Sequence, residues 1–142
     1  MQVSQLMNTH VITIAPDESA ALAARLISRH NIGVLPVCGD DGTLRGVVTD
    51  RDIVLRCVAA EEDPAKTPVK AIMSKGVSTA APADDLRTAS YLMAQKQIRR
   101  LPVVSEGKIV GMLSLGDIAS SQQCHMEASK ALADISDVIR RL

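Results

Sequence analysis

Residues 3–38 lie over residues 69–104 at one constant shift (69 − 3 = 66), without a gap. Val3 falls on Val69, Met7 on Met73, Val11 on Val77 and Thr13 on Thr79. Ala15-Pro16 meets Ala81-Pro82, and Leu35-Pro36-Val37 meets Leu101-Pro102-Val103. Ala23, Leu26 and Ile32 meet Ala89, Leu92 and Ile98, so twelve of thirty-six pairs are identical. With one residue dropped in the following turn, Gly46 meets Gly111, Thr49 meets Ser114, and Asp52-Ile53 meets Asp117-Ile118. This is a tandem duplication, and each copy must fold in the same way.

The pattern within a copy predicts its elements. Val3 to Met7 and Val69 to Met73 read as short helical turns. Val11 to Ile14 reads as a short strand stopped by Pro16. Asp17-Glu18-Ser19 then opens a helix, with acids in the first turn where the dipole favours them. Ala20 to Ile27 supplies helix propensity and an apolar face; Leu86, Ala89, Leu92 and Met93 do so in copy two. Val34 to Cys38 and Leu44 to Val48 form a hairpin about Gly39-Asp40-Asp41-Gly42. Leu101 to Val104 and Ile109 to Leu113 repeat it. A second helix starts after Thr49 and after Ser114. The expected fold class is α+β, with α/β-like repeats: two tandem β-α-β-β-α units packed sheet against sheet with pseudo-two-fold symmetry. Neither copy alone buries enough surface to be stable. The expected organisation is repeat one over 1–60, a Pro-containing exposed linker over 61–68, repeat two over 69–121 and a C-terminal helix over 122–142. In that tail Ala128, Ala131, Leu132, Ile135, Val138, Ile139 and Leu142 share one helical face from Met126 onward.

Composition narrows the function. The chain has no Phe or Trp, and Tyr91 is its one aromatic, so base-stacking platforms are nearly excluded. Sixteen basic and sixteen acidic residues cancel, which argues against nucleic acid or an anionic membrane as partner. The first residues lack the pattern of a secretory signal, and no apolar run approaches the ~20 residues of a membrane span. Cys38, Cys57 and Cys124 are odd in number and scattered, as expected of reduced thiols in the cytoplasm. His10, His30 and His125 show no metal-ligand spacing, and no metal or cofactor is expected. No nucleophile elbow, Walker loop or dinucleotide fingerprint is present, so no enzyme is expected.

Thr49-x-x-Asp52 and Ser114-x-x-Asp117 are the repeated polar motif. Read structurally, each is a capping box at a helix start. Read functionally, the hydroxyl can donate to a phosphate, and a carboxylate one turn on can accept from both ribose hydroxyls. Arg99 and Arg100 precede Leu101-Pro102 where copy one has Gly33-Val34, and guanidinium groups chelate phosphate well. They are either solvated edge charges or phosphate ligands, and copy two also lacks the acid that Asp50 adds in copy one.

The doubled set Met7…Thr13-x-x-Pro16, Ile32 to Val37 and Gly46 to Ile53, with its second occurrence in Met73…Thr79-x-x-Pro82, Ile98 to Val103 and Gly111 to Ile118, resembles the CBS domain pair, or Bateman module. The resemblance covers about Val3 to Ser121 and is closest to the small stand-alone prokaryotic members. It implies a non-catalytic regulatory module sensing AMP, ADP or ATP, with S-adenosylmethionine less often the ligand, in clefts between the repeats. It assigns ligand contacts to Thr49, Asp52, Ser114 and Asp117, and adenine-lining backbone to Thr13 to Ala15 and Thr79 to Ala81. Leu35, Pro36, Leu101 and Pro102 are further candidate ligand-binding residues, as are Arg99 and Arg100, and the sequence leaves open which cleft the arginines face. A homodimer and a regulated partner protein are also expected. The alternative is a structural or partner-binding CBS pair that has lost its ligand.

Overall fold

The structure, a computed structural model, describes residues 1–121 and 125–141; in the last helix, side chains are described for residues 129–137. Copy one gives α1 (Ala20–His30), β1 (Val34–Cys38), β2 (Leu44–Thr49), α2 (Asp50–Ile53) and a π-helical turn, Val54–Val58. Copy two gives α3 (Leu86–Lys96), β3 (Arg100–Ser105), β4 (Lys108–Ser114) and α4 (Leu115–Ser120), followed by α5 (His125–Arg141). Short 3-10 turns stand at Val3–Gln5 and Val69–Ala71. β1 pairs antiparallel with β2, Val34 opposite Thr49, and β3 lies beside β4 in a second two-stranded sheet. The α+β class follows directly from the duplicated pattern.

The internal shift survives into three dimensions. α1 and α3 occupy equivalent positions and end alike: Asn31 (φ 52°) and Gln97 (φ 57°) both adopt the left-handed conformation that closes a helix. Ser19 caps α1 by accepting from the Leu22 N–H at 3.1 Å. The acids Asp17 and Glu18 therefore precede the helix rather than lie in its first turn. The Asp17 carboxylate instead meets Lys70 Nζ at 2.6 Å.

The expected strand Val11 to Ile14 shrinks to a single bridge in each copy. Ile14 pairs in parallel with Val37, and Ala80 with Val103. The cause lies in the course of the chain. It forms two compact units, one of Ile12–Val77 with Gly107–Ile109, the other of Met1–Val11, Ser78–Glu106 and the described part of Val110–Leu142. The chain changes unit between Val11 and Ile12 and again between Val77 and Ser78, and Pro16 and Pro82, which lack a backbone N–H, end the extended run beyond.

Each unit thus contains the opening segment of the other repeat. In the unit built on copy one, the Val69 N–H donates to the Glu18 carbonyl at 2.8 Å and Lys70 N–H to Pro16 at 3.0 Å. In the unit built on copy two, the Val3 N–H donates to Asp84 at 2.9 Å and Ser4 N–H to Pro82 at 2.9 Å. These are the same bonds at shifted positions. The linker joins in. Residues 61–66 are exposed, but Thr67 is buried, and the Thr67 and Pro64 carbonyls accept the N–H groups of Ala20 and Ala21 at 2.8 and 3.0 Å. Donors that the first turn of α1 leaves open are satisfied there.

Both cores are aliphatic. Ile14, Ala20, Ala23, Leu35, Val37, Val48, Ile53, Cys57, Val69 and Ile72 fill one. Val3, Leu86, Ala89, Met93, Leu101, Leu113 and Ile118 fill the other, with Ala131 and Ile135 of α5 among them. The tail helix packs on α3 and α4, the buried Ile135 contributing ~1.5–3 kcal/mol. Of the expected tail stripe, Met126, Ala128, Val138, Ile139 and Leu142 lie outside the described side chains, as does Cys124.

Candidate functional site

The strand-to-helix junctions place both hydroxyl-x-x-Asp motifs, and both form capping boxes. In copy one the Asp52 N–H donates to Thr49 Oγ1, and the Thr49 N–H to Asp52 Oδ2, each at 3.0 Å. In copy two the Asp117 N–H donates to Ser114 Oγ at 3.0 Å, and the Ser114 N–H to Asp117 Oδ2 at 3.2 Å. Each hydroxyl acts as acceptor in its box, which leaves its own hydrogen to donate elsewhere. At six residues α4 is too short to carry much dipole, so an anion at its start must be held by formal charges.

The two copies diverge in what surrounds the box. Asp52 is 7% exposed, and its second oxygen takes the Ser74 hydroxyl at 3.4 Å with Arg56 Nε at 3.8 Å. Arg56 also donates to the Ile72 carbonyl at 3.2 Å, so the whole group pins the exchanged segment onto α2. Asp117 is half-buried and has no such neighbours among the described residues. Asp50 is turned to its own backbone, accepting from Arg51 N–H at 2.8 Å.

A cavity lies in copy two. Arg99 and Arg100 at the head of β3 and Ser114 at the end of β4 line a space of about 340 Å³. Leu115, Gly116 and Ala119 of α4 form a further wall, and Ser129 and Leu132 of α5 another. The size is within the range of small-ligand pockets. Both arginines are exposed, and among the described residues neither guanidinium is in an ion pair. The Arg99 carbonyl accepts the Leu115 N–H at 2.8 Å, which ties the start of β3 to the start of α4 and sets the arginines beside Ser114.

Other residues expected at the site stand elsewhere. Leu35, Pro36, Leu101 and Pro102 are buried, with the Pro36 and Pro102 carbonyls accepting from Ile14 and Ala80 at 3.0 Å. Thr13 and Thr79 are exposed, and Ala15 is half-buried. The Ala81 N–H donates to Asp84 Oδ2 at 2.8 Å. None of Thr79, Ala81, Leu101, Pro102 and Asp117 is on the wall of the arginine cavity. Ser129 and Leu132 were not expected there, because an amphipathic stripe says which face is apolar but not where the helix docks. No group of three His, Cys, Asp or Glu able to hold a metal occurs among the described residues.

The CBS domain model matches residues 3–58 and again 69–123. The chain belongs to the CBS domain family. Its CBS pair is 43% identical over 134 residues to the CBS domain-containing protein YhcV of Bacillus subtilis (strain 168), covering 94% of each chain. Among solved structures it is similar to Hypoxic Response Protein I with two coordinated zinc ions (TM-score 0.78, 34% identity, 84% of this chain and 97% of that one). It is also similar to CBSX2 in complex with AMP (TM-score 0.73, 27% identity, 83% and 92%). The CBS domain pair of MJ0100 in complex with 5′-methylthioadenosine and S-adenosyl-L-methionine is a further neighbour (TM-score 0.74, 28% identity, 84% and 93%). Among the described residues no helix of this CBS pair is long and apolar enough to cross a membrane.

Proposed function

We propose that this CBS pair is a non-catalytic sensor of an adenine nucleotide, AMP, ADP or ATP, with copy two as the principal site. The observation that carries this reading is the pair of guanidinium groups, Arg99 and Arg100, sharing one cavity with the Ser114 hydroxyl. Two guanidinium groups, neither in an ion pair among the described residues, suit a phosphate, bidentate contacts being available from each. Leu115 and Ala119 offer an apolar surface for the nucleoside. The AMP-bound and S-adenosylmethionine-bound neighbours support an adenosyl ligand. Copy one is the weaker candidate, because Asp52 already spends both oxygens within the protein.

Calorimetric titration with AMP, ADP, ATP and S-adenosylmethionine tests the reading. Binding between micromolar and millimolar is expected, about −8 to −4 kcal/mol. No heat and no melting shift at millimolar ligand would refute it and favour a partner-binding protein without a ligand. The module acts in a reducing compartment, where Cys38 and Cys57 remain buried free thiols.

The same proposal includes a homodimer. Val54, Leu55 and Val58 are 54%, 50% and 59% exposed on the π-helical turn. At the shift of copy two (119 − 54 = 65) these positions are Ala119, Ser120 and Gln123, so the repeat itself does not demand large apolar side chains there. A second copy of the same face is the cover that fits them, since two-fold contacts pair a patch with itself.

A further inference from the structure

Everything that the duplication explains ends near Ser121, yet the cavity wall extends beyond it. Ser129 and Leu132 are three residues apart and share a helix face. Ala131 and Ile135, four apart, are each 3% exposed and anchor α5 in the core. The helix thus divides its labour, one stripe holding it down and the next lining the cavity. Leu132 is left 43% exposed at that wall, near the buried Leu115. An apolar side chain kept uncovered beside two guanidiniums that make no ion pair among the described residues describes a site with one wall for an anion and one for a ring.

We propose that α5 completes the nucleotide site of copy two. The Ser129 hydroxyl adds a neutral donor for a phosphate oxygen beside Arg99 and Arg100, and Leu132 covers the apolar face of the nucleoside. Occupancy and α5 docking are then linked: ligand adds contacts to a helix held in the core by Ala131 and Ile135 among the described residues, and loosening the helix lowers affinity by the same factor. Copy one has no counterpart, since its π-helical turn runs into the linker at 61–68. The inference rests on the nucleotide reading, and its test separates the two.

The experiment is AMP calorimetry on the full chain and on Ser129→Ala/Leu132→Ala, with Arg100→Ala alongside. Both α5 residues are exposed, so the double variant should keep its fold. Its dissociation constant is the deciding readout and should rise about tenfold or more. Wild-type affinity in the double variant, with Arg100→Ala weakened, would overturn the role of α5 and leave the nucleotide reading standing. No AMP binding by the wild-type chain would remove both. Should the double variant melt early, hydrogen exchange on the wild-type chain decides instead. Saturating AMP should slow the amides of residues 129–137, and unchanged exchange there would refute the proposal.

Discussion

The Ser74 hydroxyl lies 3.4 Å from Asp52 Oδ1, a bond made by the opening segment of repeat two to the capping acid of repeat one. With Arg56 at 3.8 Å, it turns Asp52 into a structural residue, whereas Asp117 keeps one oxygen uncommitted among the described residues. Asp52→Ala removes a cap and strands the Ser74 hydroxyl, at a cost of about 1–3 kcal/mol. The Arg56 contact adds little, its side chain being 54% exposed. Asp117→Ala should cost only the cap, about 1 kcal/mol, and, by releasing the Ser114 it holds at the cavity wall, weaken nucleotide binding more than Asp50→Ala does. Urea midpoints and AMP titrations of the three variants check the ranking. If Thr49→Ala/Asp52→Ala abolishes binding while Ser114→Ala/Asp117→Ala preserves it, copy one is the principal site.

Gly46 and Gly111 are where the exchanged segments press on the sheets. A Cβ at Gly46 would come 2.5 Å from the Ser74 carbonyl oxygen, which is backbone and cannot swing away. At Gly111 the nearest atom would be Met7 Sδ at 2.7 Å, the end of a flexible side chain. Gly46→Ala should therefore destabilise by about 1–3 kcal/mol and Gly111→Ala by clearly less. Equal melting temperatures for the two variants would contradict this.

Burial raises the pKa of the Cys38 thiol above its ordinary value. The folded pKa then exceeds the unfolded one, so its contribution to stability is whole below the unfolded pKa, about 8.5, and is lost as pH rises through the folded value. Denaturation midpoints should fall on the alkaline side in the wild type and less so in Cys38→Ala. An aromatic disulfide reagent at pH 8 should label Cys38 slowly in the native chain and quickly once it is unfolded.

Asp41 works at the opposite end of the scale. The Thr43 backbone N–H donates to Asp41 Oδ1 at 3.0 Å, and this bond, first among the causes, lowers the carboxyl pKa. The stability it lends the hairpin is present above the ordinary Asp pKa and disappears as pH falls through the lowered one. Asp41→Asn should flatten part of the acid limb of a stability-versus-pH curve; an unchanged limb would deny the bond any role.

Val58→Lys places a charge in the proposed dimer face without touching either core. Light scattering at micromolar concentration should give twice the 15.1 kDa chain mass for the wild type and a lower value for the variant. A wild-type mass of one chain would refute the dimer. Ala131 and Ile135 of α5 are buried within their own chain, and the proposed face lies apart from them on the π-helical turn.

Local chemistry was readable in the chain. The caps at Thr49 and Ser114, the hairpin at Gly39 to Gly42 and the matched helices all depend on residues within a few positions of one another. Non-local features were not. The bonds Val3 to Asp84 and Val69 to Glu18 join backbone groups, which carry no side-chain signature. For that reason the strand expected at Val11 to Ile14 could not be seen to break where the chain changes unit. The direction of Arg99 and Arg100 was open for the same reason: it depends on the bond from Leu115 N–H to the Arg99 carbonyl, not on the arginines themselves.

The traded opening segments decide where this chain can be cut. Scissors guided by homology would fall between the repeats, near residue 61, and each half would keep the leading turn that belongs to the other body. Residues 12–77 instead hold nearly all of one unit in a single stretch, with Val69 and Ile72 already seated in its core. A biochemist wanting a minimal folded fragment should therefore open the gene inside a repeat rather than at its border.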